Sequence, residues 1–245
     1  MMRTILNPAY RQFEEFTRCI PHIFEHEGRT IYKARNEIKV FTIDGMQLNV
    51  KRYRIPAFPN RIIYSFFRLP KARRAYEYAL RLLAKGFETP VPIAYVLIYE
   101  GGLLGYSYFI SVQSSYETMY EVGKHPAEEN ADVFRALGKY TARLHESGVY
   151  HADFSPGNIL FKRMGDGIHF SLIDINRMRF GVVSLRKGCA NFARLWGREA
   201  AFRMMSAAYA EIRHADPEVC WRWVSLYRDR FWKRYALRHK VEFEL

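Results

Sequence analysis

Cysteine is scarce in this chain. Three occur among 245 residues, Cys19, Cys189 and Cys220, far apart and without a C-x-x-C spacing. That excludes a disulfide framework and a structural zinc site, and it fits a reducing compartment. Long apolar runs are missing as well. No stretch of about 18 apolar residues occurs, and the opening MMRTILNPAYRQFEEF holds no apolar run of signal-peptide length. The expectation is a soluble, cytoplasmic protein. Repeats, low-complexity tracts and long linkers are absent, and so are RNA-binding signatures and zinc-finger spacings. Nucleic acid is therefore not an expected partner. Acids are few: 25 Asp and Glu stand against 38 Lys and Arg, a net charge of +13.

That imbalance favours an anionic partner, whether a phosphate-rich surface or a phosphorylated substrate. It is concentrated between residues 51 and 85, where ten Lys and Arg accompany one acid, Glu77. Nearly half the residues are apolar and 16% are aromatic, enough for a substantial core. A chain of this length makes one large domain or two small lobes around a cleft.

The first thirty residues show no clear period. TIYKAR and NEIKVF read as two short strands meeting at Ala34–Glu37, and MQLNVKRY as a third. Pro56 and Pro59 open what reads as a loop. KARRAYEYALRLLAK, 71–85, has the helical period, and Gly86 stops it. IAYVLIYEGG and GYSYFISVQS read as two further strands. Beyond residue 115 the pattern changes. NADVFRALGKYTARLHESG is a helix carrying Val133, Leu137, Tyr140, Thr141 and Leu144 on one face. A hairpin, NILFKR-MGDG-IHFSLIDI, follows, and from about Cys189 the chain reads as helical. The organisation expected is α+β: a β-rich N-terminal lobe with one main helix, 1–115, and a mostly helical C-terminal lobe, 116–245.

Five polar residues stand where packing alone would not ask for them. Lys51 lies in a predicted strand and Glu77 in the next helix. Asp153 and Asn158 lie in YHADFSPGNILF, and Asp174 ends the apolar run FSLID. Phosphoryl transfer from ATP uses such a set. A strand Lys holds the α- and β-phosphates and is oriented by a helix Glu. One Asp accepts or steers the acceptor hydroxyl, and an Asn and a second Asp hold Mg²⁺. The transition state is highly anionic, so positioning and charge neutralisation do most of the catalysis. Five residues separate Asp153 from Asn158 and sixteen more reach Asp174, room for one short hairpin.

Two alternatives stay open. Lys51 and Arg52 are adjacent and point to opposite faces of the strand, and Leu48, Val50 and Tyr53 do not decide which faces the site. Glu77 could instead make i,i+4 pairs with Arg73 and Arg81. His151 reads as a scaffold of the loop, and Asn176 as a turn residue rather than a metal ligand.

YHADFSPGNILF and FSLIDINRMRF resemble the catalytic and metal-binding loops of the protein-kinase-like superfamily. HAD and IDIN-R are similar to the lipopolysaccharide kinase (Kdo/WaaP) family, and the resemblance runs from about residue 28 to 200. It implies a two-lobed kinase-like fold using ATP and Mg²⁺. Asp153 would be the catalytic base, and Asn158 and Asp174 the metal ligands. The VK context points to Lys51 as the ATP-phosphate lysine, with Glu77 its partner. The implied acceptor is Kdo or heptose on lipid A. SPGN is also common among small-molecule kinases of the superfamily, so a small metabolite or a protein side chain is the alternative acceptor. A pseudokinase that only docks on anionic membranes is a third reading, against which the five retained polar residues argue.

The chain departs from protein kinases in two places. The turn between the first two strands, KARNEI, has no glycine, leaving Arg35 or Asn36 to approach the phosphates, and no APE segment follows. RIPAFPNRIIYSFFRLPKARR interleaves five arginines and a lysine with apolar residues. It is either a loop with its apolar residues tucked into the N-terminal lobe or a surface for peripheral contact with an anionic membrane. On the C-terminal helix, Val219, Trp223, Tyr227, Phe231 and Tyr235 recur every four residues and read as a core-facing stripe.

Overall fold

A computed structural model describes residues 1–123 and 125–241. The chain forms two compact units, Met1–Ser115 and Tyr116–Leu245.

The first unit is a six-stranded antiparallel sheet with three helices. In chain order it has β1 (Met2–Leu6), α1 (Glu14–Ile23), β2 (Arg29–Lys33), β3 (Glu37–Ile43), β4 (Met46–Tyr53), α2 (Phe58–Phe66), α3 (Lys71–Ala84), β5 (Pro92–Glu100) and β6 (Leu103–Val112). The strands lie in the order β1-β5-β6-β4-β3-β2. Strand alternation sends side chains to both faces, and each face has its own core. On one, Phe13, Phe16, Ile20 and Phe24 from α1 and its flanks pack on Phe41, Leu48, Val50, Val96 and Ile110. On the other, Ala72 and Tyr76 of α3 pack on Tyr53, Tyr95, Leu97 and Leu104.

Two expectations for this unit are corrected. The opening thirty residues contain a strand and a helix, and Phe13, Phe16, Ile20 and Phe24 form a buried stripe at helical spacing. The segment read as a loop after Pro56 forms α2. Pro59 lies in its first turn, where the missing N–H has no intrahelical acceptor to satisfy. The apolar residues of this segment are not all tucked in: Phe58, Ile63, Phe66 and Phe67 are exposed.

The second unit has β7 (Glu117–Thr118), α4 (Met119–Val122), α5 (Ala131–Glu146), β8 (Val149–His151), β9 (Ile159–Met164), β10 (Gly167–Leu172), β11 (Met178–Phe180), α6 (Leu185–Ala190), α7 (Glu199–Ile212) and α8 (Pro217–Ala236). Helices α5 and α7 meet closely at Gly138, where a Cβ would fall 2.3 Å from the Met205 carbonyl oxygen. The buried stripe of α8 is Cys220, Val224, Arg228 and Trp232, one residue on from the aromatic stripe read in the sequence. Arg228 is buried because its guanidinium lies over the Phe202 ring at 4.7 Å and donates to the Gly197 carbonyl at 3.2 Å. Trp223, Tyr227, Phe231 and Tyr235 are half-buried, and Arg186 and Arg194 lie over the rings of Trp223 and Phe231. Among the described residues, no helix is long and apolar enough to cross a membrane.

Candidate functional site

In the first unit, the alternation of β4 separates its two adjacent cations. Leu48, Val50 and Arg52 share the face covered by α1, while Lys51 and Tyr53 share the other. The Arg52 guanidinium stacks over Phe24 at 4.5 Å, donates to Glu37 Oε2 at 2.7 Å and pairs with Glu25. Burial opposes its charge, but the bonds it donates to Glu25 and Glu37 outweigh that and raise its pKa above the ordinary value. Arg52 is thus built into the α1 side. Lys51 Nζ lies over the Tyr53 ring at 5.4 Å, and Tyr53 packs with Ala72 and Tyr76 of α3. Lys51 therefore faces the side of the sheet that carries the helix of Glu77.

Glu77 accepts a hydrogen bond from Arg73 Nε at 2.6 Å, an i,i+4 pair with both side chains about one-third exposed. That bond raises the Arg73 pKa. In the turn between β2 and β3, Ala34 N–H donates to the Asn36 carbonyl at 3.0 Å, and Arg35 is exposed.

In the second unit, two short ribbons bring the acidic loops together. β8 pairs with β11, with His151 opposite Met178, and β9 pairs with β10, with Ile159 opposite Leu172. The chain leaves one ribbon and enters the other twice, through 152–158 and 173–177. Asp153, Asn158 and Asp174 lie in those two connectors. The Ile173 N–H donates to the Asn158 carbonyl at 3.0 Å, closing the second ribbon.

His151 joins the connectors. It is fully buried; its Nδ1 accepts the Asp153 N–H at 3.1 Å, so Nε2 carries the proton and donates to the Ile173 carbonyl at 3.0 Å. Burial lowers its pKa, which keeps the ring neutral and this tautomer in place. The ring is a clamp between Asp153, two residues on, and Ile173, the residue before Asp174. A second chain of bonds holds His151 from behind. Arg213 Nη1 donates to the Tyr209 hydroxyl at 2.8 Å, which lies 3.0 Å from His145 Nδ1. His145 Nε2 lies 3.0 Å from Asn191 Oδ1, and Asn191 Nδ2 donates to the His151 carbonyl at 2.9 Å. Asn191 Oδ1 can only accept, so His145 Nε2–H donates to it and Nδ1 accepts from Tyr209. Burial depresses His145 to about 4.

Asn158 Nδ2 donates to the Asp153 carbonyl at 2.9 Å, which turns Oδ1 to the opposite side of the amide as a hard oxygen donor. Asp174 adopts the left-handed region, φ 52 and ψ 39. A non-glycine residue held there stores roughly 1–3 kcal/mol of strain, a feature concentrated at functional sites. Asn176 sits in the turn expected of it, but it is buried and donates to Asp174 Oδ1 at 2.5 Å, fixing the carboxylate. Among the described residues, no group of three or more His, Cys, Asp or Glu could hold a metal. An amide oxygen and one carboxylate nonetheless suit magnesium, which keeps several waters and shares substrate phosphates.

Asp153 itself is enclosed by cations. Arg194 pairs with its Oδ1, and Arg177 Nη1 lies 3.7 Å from Oδ2. Arg177 stands in the IDIN-R motif but drew no role from the sequence, and Arg194 and Asn191 were not marked at all. In a chain with 38 basic residues, two more arginines carry no signal until the fold aims them.

A family model described as "Lipopolysaccharide kinase (Kdo/WaaP) family" matches residues 24–215. The fold is similar to the solved structure of WaaP in complex with acyl carrier protein, with a TM-score of 0.64 and 16% identity over 94% of this chain and 99% of that one. It is also similar to the microcompartment-associated aminopropanol kinase, with a TM-score of 0.56 and 13% identity over 88% and 85% of the two chains. The KEOPS complex subunit Bud32 of Pyrococcus abyssi (strain GE5 / Orsay) is 28% identical over 113 residues, 46% of this chain and 46% of that protein. The match thus spans less than half of that relative. The α+β, protein-kinase-like fold expected from the sequence is the fold found.

Proposed function

Because the chain belongs to the lipopolysaccharide kinase (Kdo/WaaP) family, we propose that it transfers the γ-phosphoryl group of ATP to a sugar hydroxyl of the lipopolysaccharide inner core, on Kdo or heptose attached to lipid A. The observation that carries the site assignment is the His151 clamp. One buried ring bonds the Asp153 amide and the Ile173 carbonyl, so the proposed base and the proposed metal ligand Asp174 are held on one scaffold.

In this reading, Asp153 takes or steers the proton of the acceptor hydroxyl as that oxygen bonds to the γ-phosphorus and the bond to ADP breaks. Lys51 binds the α- and β-phosphates, with Glu77 as its orienting partner once Arg73 yields it. Asn158 and Asp174 are the residues that hold magnesium, which supplies neutralisation of the phosphate charge. Asn176 orients Asp174. The exposed Phe58, Ile63, Phe66 and Phe67 on and beside α2, set among Arg54, Arg61 and Arg68, suit peripheral contact with the anionic inner face of the cytoplasmic membrane.

The test is labelled ATP with lipid A–Kdo and lipid A–Kdo–heptose acceptors, against free sugars, aminoglycosides and a protein substrate. Magnesium-dependent transfer to the glycolipids supports the reading. Transfer only to a control moves the acceptor elsewhere, and no magnesium-dependent ATP binding returns the chain to the docking-module reading.

A further inference from the structure

The carboxylate proposed to meet the acceptor hydroxyl is already engaged. Arg194 Nη1 sits on Asp153 Oδ1 and Arg177 Nη1 faces Oδ2 at 3.7 Å. The Asp153 side chain is 19% exposed, but those of Arg177 and Arg194 are 51% and 44% exposed. Two guanidinium charges therefore converge on one carboxylate charge from the solvent side, leaving one positive charge in excess. A hydroxyl approaching Asp153 must pass between them.

Both arginines are rooted in the frame of the site. Arg177 ends the turn whose Asn176 holds Asp174. Arg194 ends the turn that opens with Asn191, which holds the His151 carbonyl. The Arg194 guanidinium also lies over the Phe231 ring at 5.4 Å, a resting place that does not depend on Asp153. A planar guanidinium fork matches a carboxylate or phosphate in a bidentate manner. Here it would do so beside the atom that receives the hydroxyl proton.

We infer that Arg177 and Arg194 form a binding site for an oxyanion carried by the acceptor next to the hydroxyl that is phosphorylated. Without acceptor, the pair closes on Asp153 and covers it. The acceptor anion draws Arg194 away, and the same movement presents the hydroxyl and uncovers the carboxylate. Neutral acceptors leave Asp153 covered. This rests on the assignment of Asp153 as the base, and it adds a requirement for charge on the acceptor.

The kinetic test pairs Arg194→Gln and Arg177→Gln with an acceptor glycolipid in which the Kdo carboxylate is free or methyl-esterified. With the free acid, each variant is expected to raise the acceptor KM by roughly ten- to a hundred-fold, with Arg194→Lys partly restoring it and the KM for ATP unmoved. With the ester, wild type is expected to fall by a similar factor and the variants to fall little further. Equal losses on acid and ester, an unchanged acceptor KM, or a raised KM for ATP instead would overturn the inference.

A binding test stands apart from turnover. The full chain is titrated with Kdo, Kdo methyl ester, glucosamine 1-phosphate and glucosamine while the arginine Nε–H signals are followed by NMR. A saturable shift of the Arg194 signal with Kdo alone assigns a carboxylate, and one with glucosamine 1-phosphate alone assigns a phosphate. A shift with neither overturns the site. Wild-type transfer to the glycolipid with normal Arg194→Gln kinetics sinks this inference alone. Absence of transfer by wild type sinks the proposed acceptor, and the NMR result then decides the anion site by itself.

Discussion

The side-chain amide of Asn191 donates to the backbone carbonyl of His151 at 2.9 Å, across forty residues of chain. The same amide accepts His145 Nε2–H through its oxygen. Replacing Asn191 with Ala leaves a buried carbonyl and a buried imidazole N–H without partners. The expected loss is about 2–4 kcal/mol of unfolding free energy. Phosphotransfer should fall as well, because His151 loses its anchor. Urea unfolding and labelled-ATP turnover measure the two effects, and an Ala variant within about 0.5 kcal/mol of wild type refutes the anchoring role.

Acid should weaken the fold before the carboxylates titrate. His145 is depressed to about 4 by burial, and His151 is lowered for the same reason. The unfolded chain takes up protons on these rings from about pH 6.5 downward, whereas the native state does not. Stability contributed by neutral His145 is therefore full above about pH 6.5 and is lost progressively toward pH 4, by roughly 3 kcal/mol in all. The urea midpoint should be lower at pH 5.0 than at pH 7.5, and less so in His145→Gln. A midpoint that stays level or rises on acidification contradicts the neutral assignment.

Lys51 and Arg52, neighbours in sequence, should fail differently. Lys51→Met is expected to keep the fold and lose ATP turnover by at least roughly a hundred-fold, as removal of a phosphate-binding cation does. Arg52→Met leaves the buried carboxylate of Glu37 with only the exposed Lys33 ammonium at 3.7 Å and is expected to cost about 3 kcal/mol in stability. Thermal melting and turnover on both variants separate the roles. A folded, inactive Arg52→Met beside an active Lys51→Met reverses the assignment.

Asp153→Asn keeps the shape of the loop but removes the group that accepts a proton. Transfer to the acceptor should drop by roughly 10²–10⁴, while magnesium-dependent ATP binding, measured by calorimetry, persists. Transfer close to the wild-type rate places the base elsewhere.

Gly188 offers a test of packing behind the loop. A Cβ there would lie 1.9 Å from the Tyr209 hydroxyl and 2.9 Å from His145 Nδ1. Gly188→Ala should therefore lower stability and turnover together by forcing that pair apart, whereas Gly165→Ala, with open space around it, should leave both unchanged.

Much of this was legible in the chain. Strand β4 and helix α3 fell where the alternation of MQLNVKRY and the period of KARRAYEYALRLLAK placed them. The segment 151–174 read as a phosphotransfer loop because its polar residues interrupt two apolar elements at a spacing a hairpin can span. Other features were hidden for physical reasons. The stripe of α1 was obscured by its charged neighbours and by Pro21 inside the helix. Pro59 suggested a loop because a proline at a helix start and one in a turn look alike. On α8 the large aromatics drew attention from Cys220 and Arg228, whose burial depends on partners far along the chain. Arg194 acquires meaning only from what it points at, and Arg177, though part of IDIN-R, gains a role only from facing Asp153.

The β9–β10 ribbon has a consequence for how such chains vary. Its pairing runs from Ile159↔Leu172 to Met164↔Gly167, and the turn at 165–166 lies at the end remote from Asn158 and Asp174. Residues inserted in pairs at that turn would lengthen the ribbon outward and leave the register beside Ile159 intact. The sixteen-residue interval between Asn158 and Asp174 is thus set by the length of the ribbon rather than by the site at its base. A search template with a fixed interval would overlook relatives that an elastic one would catch, and the same turn is where a reporter sequence could be grafted.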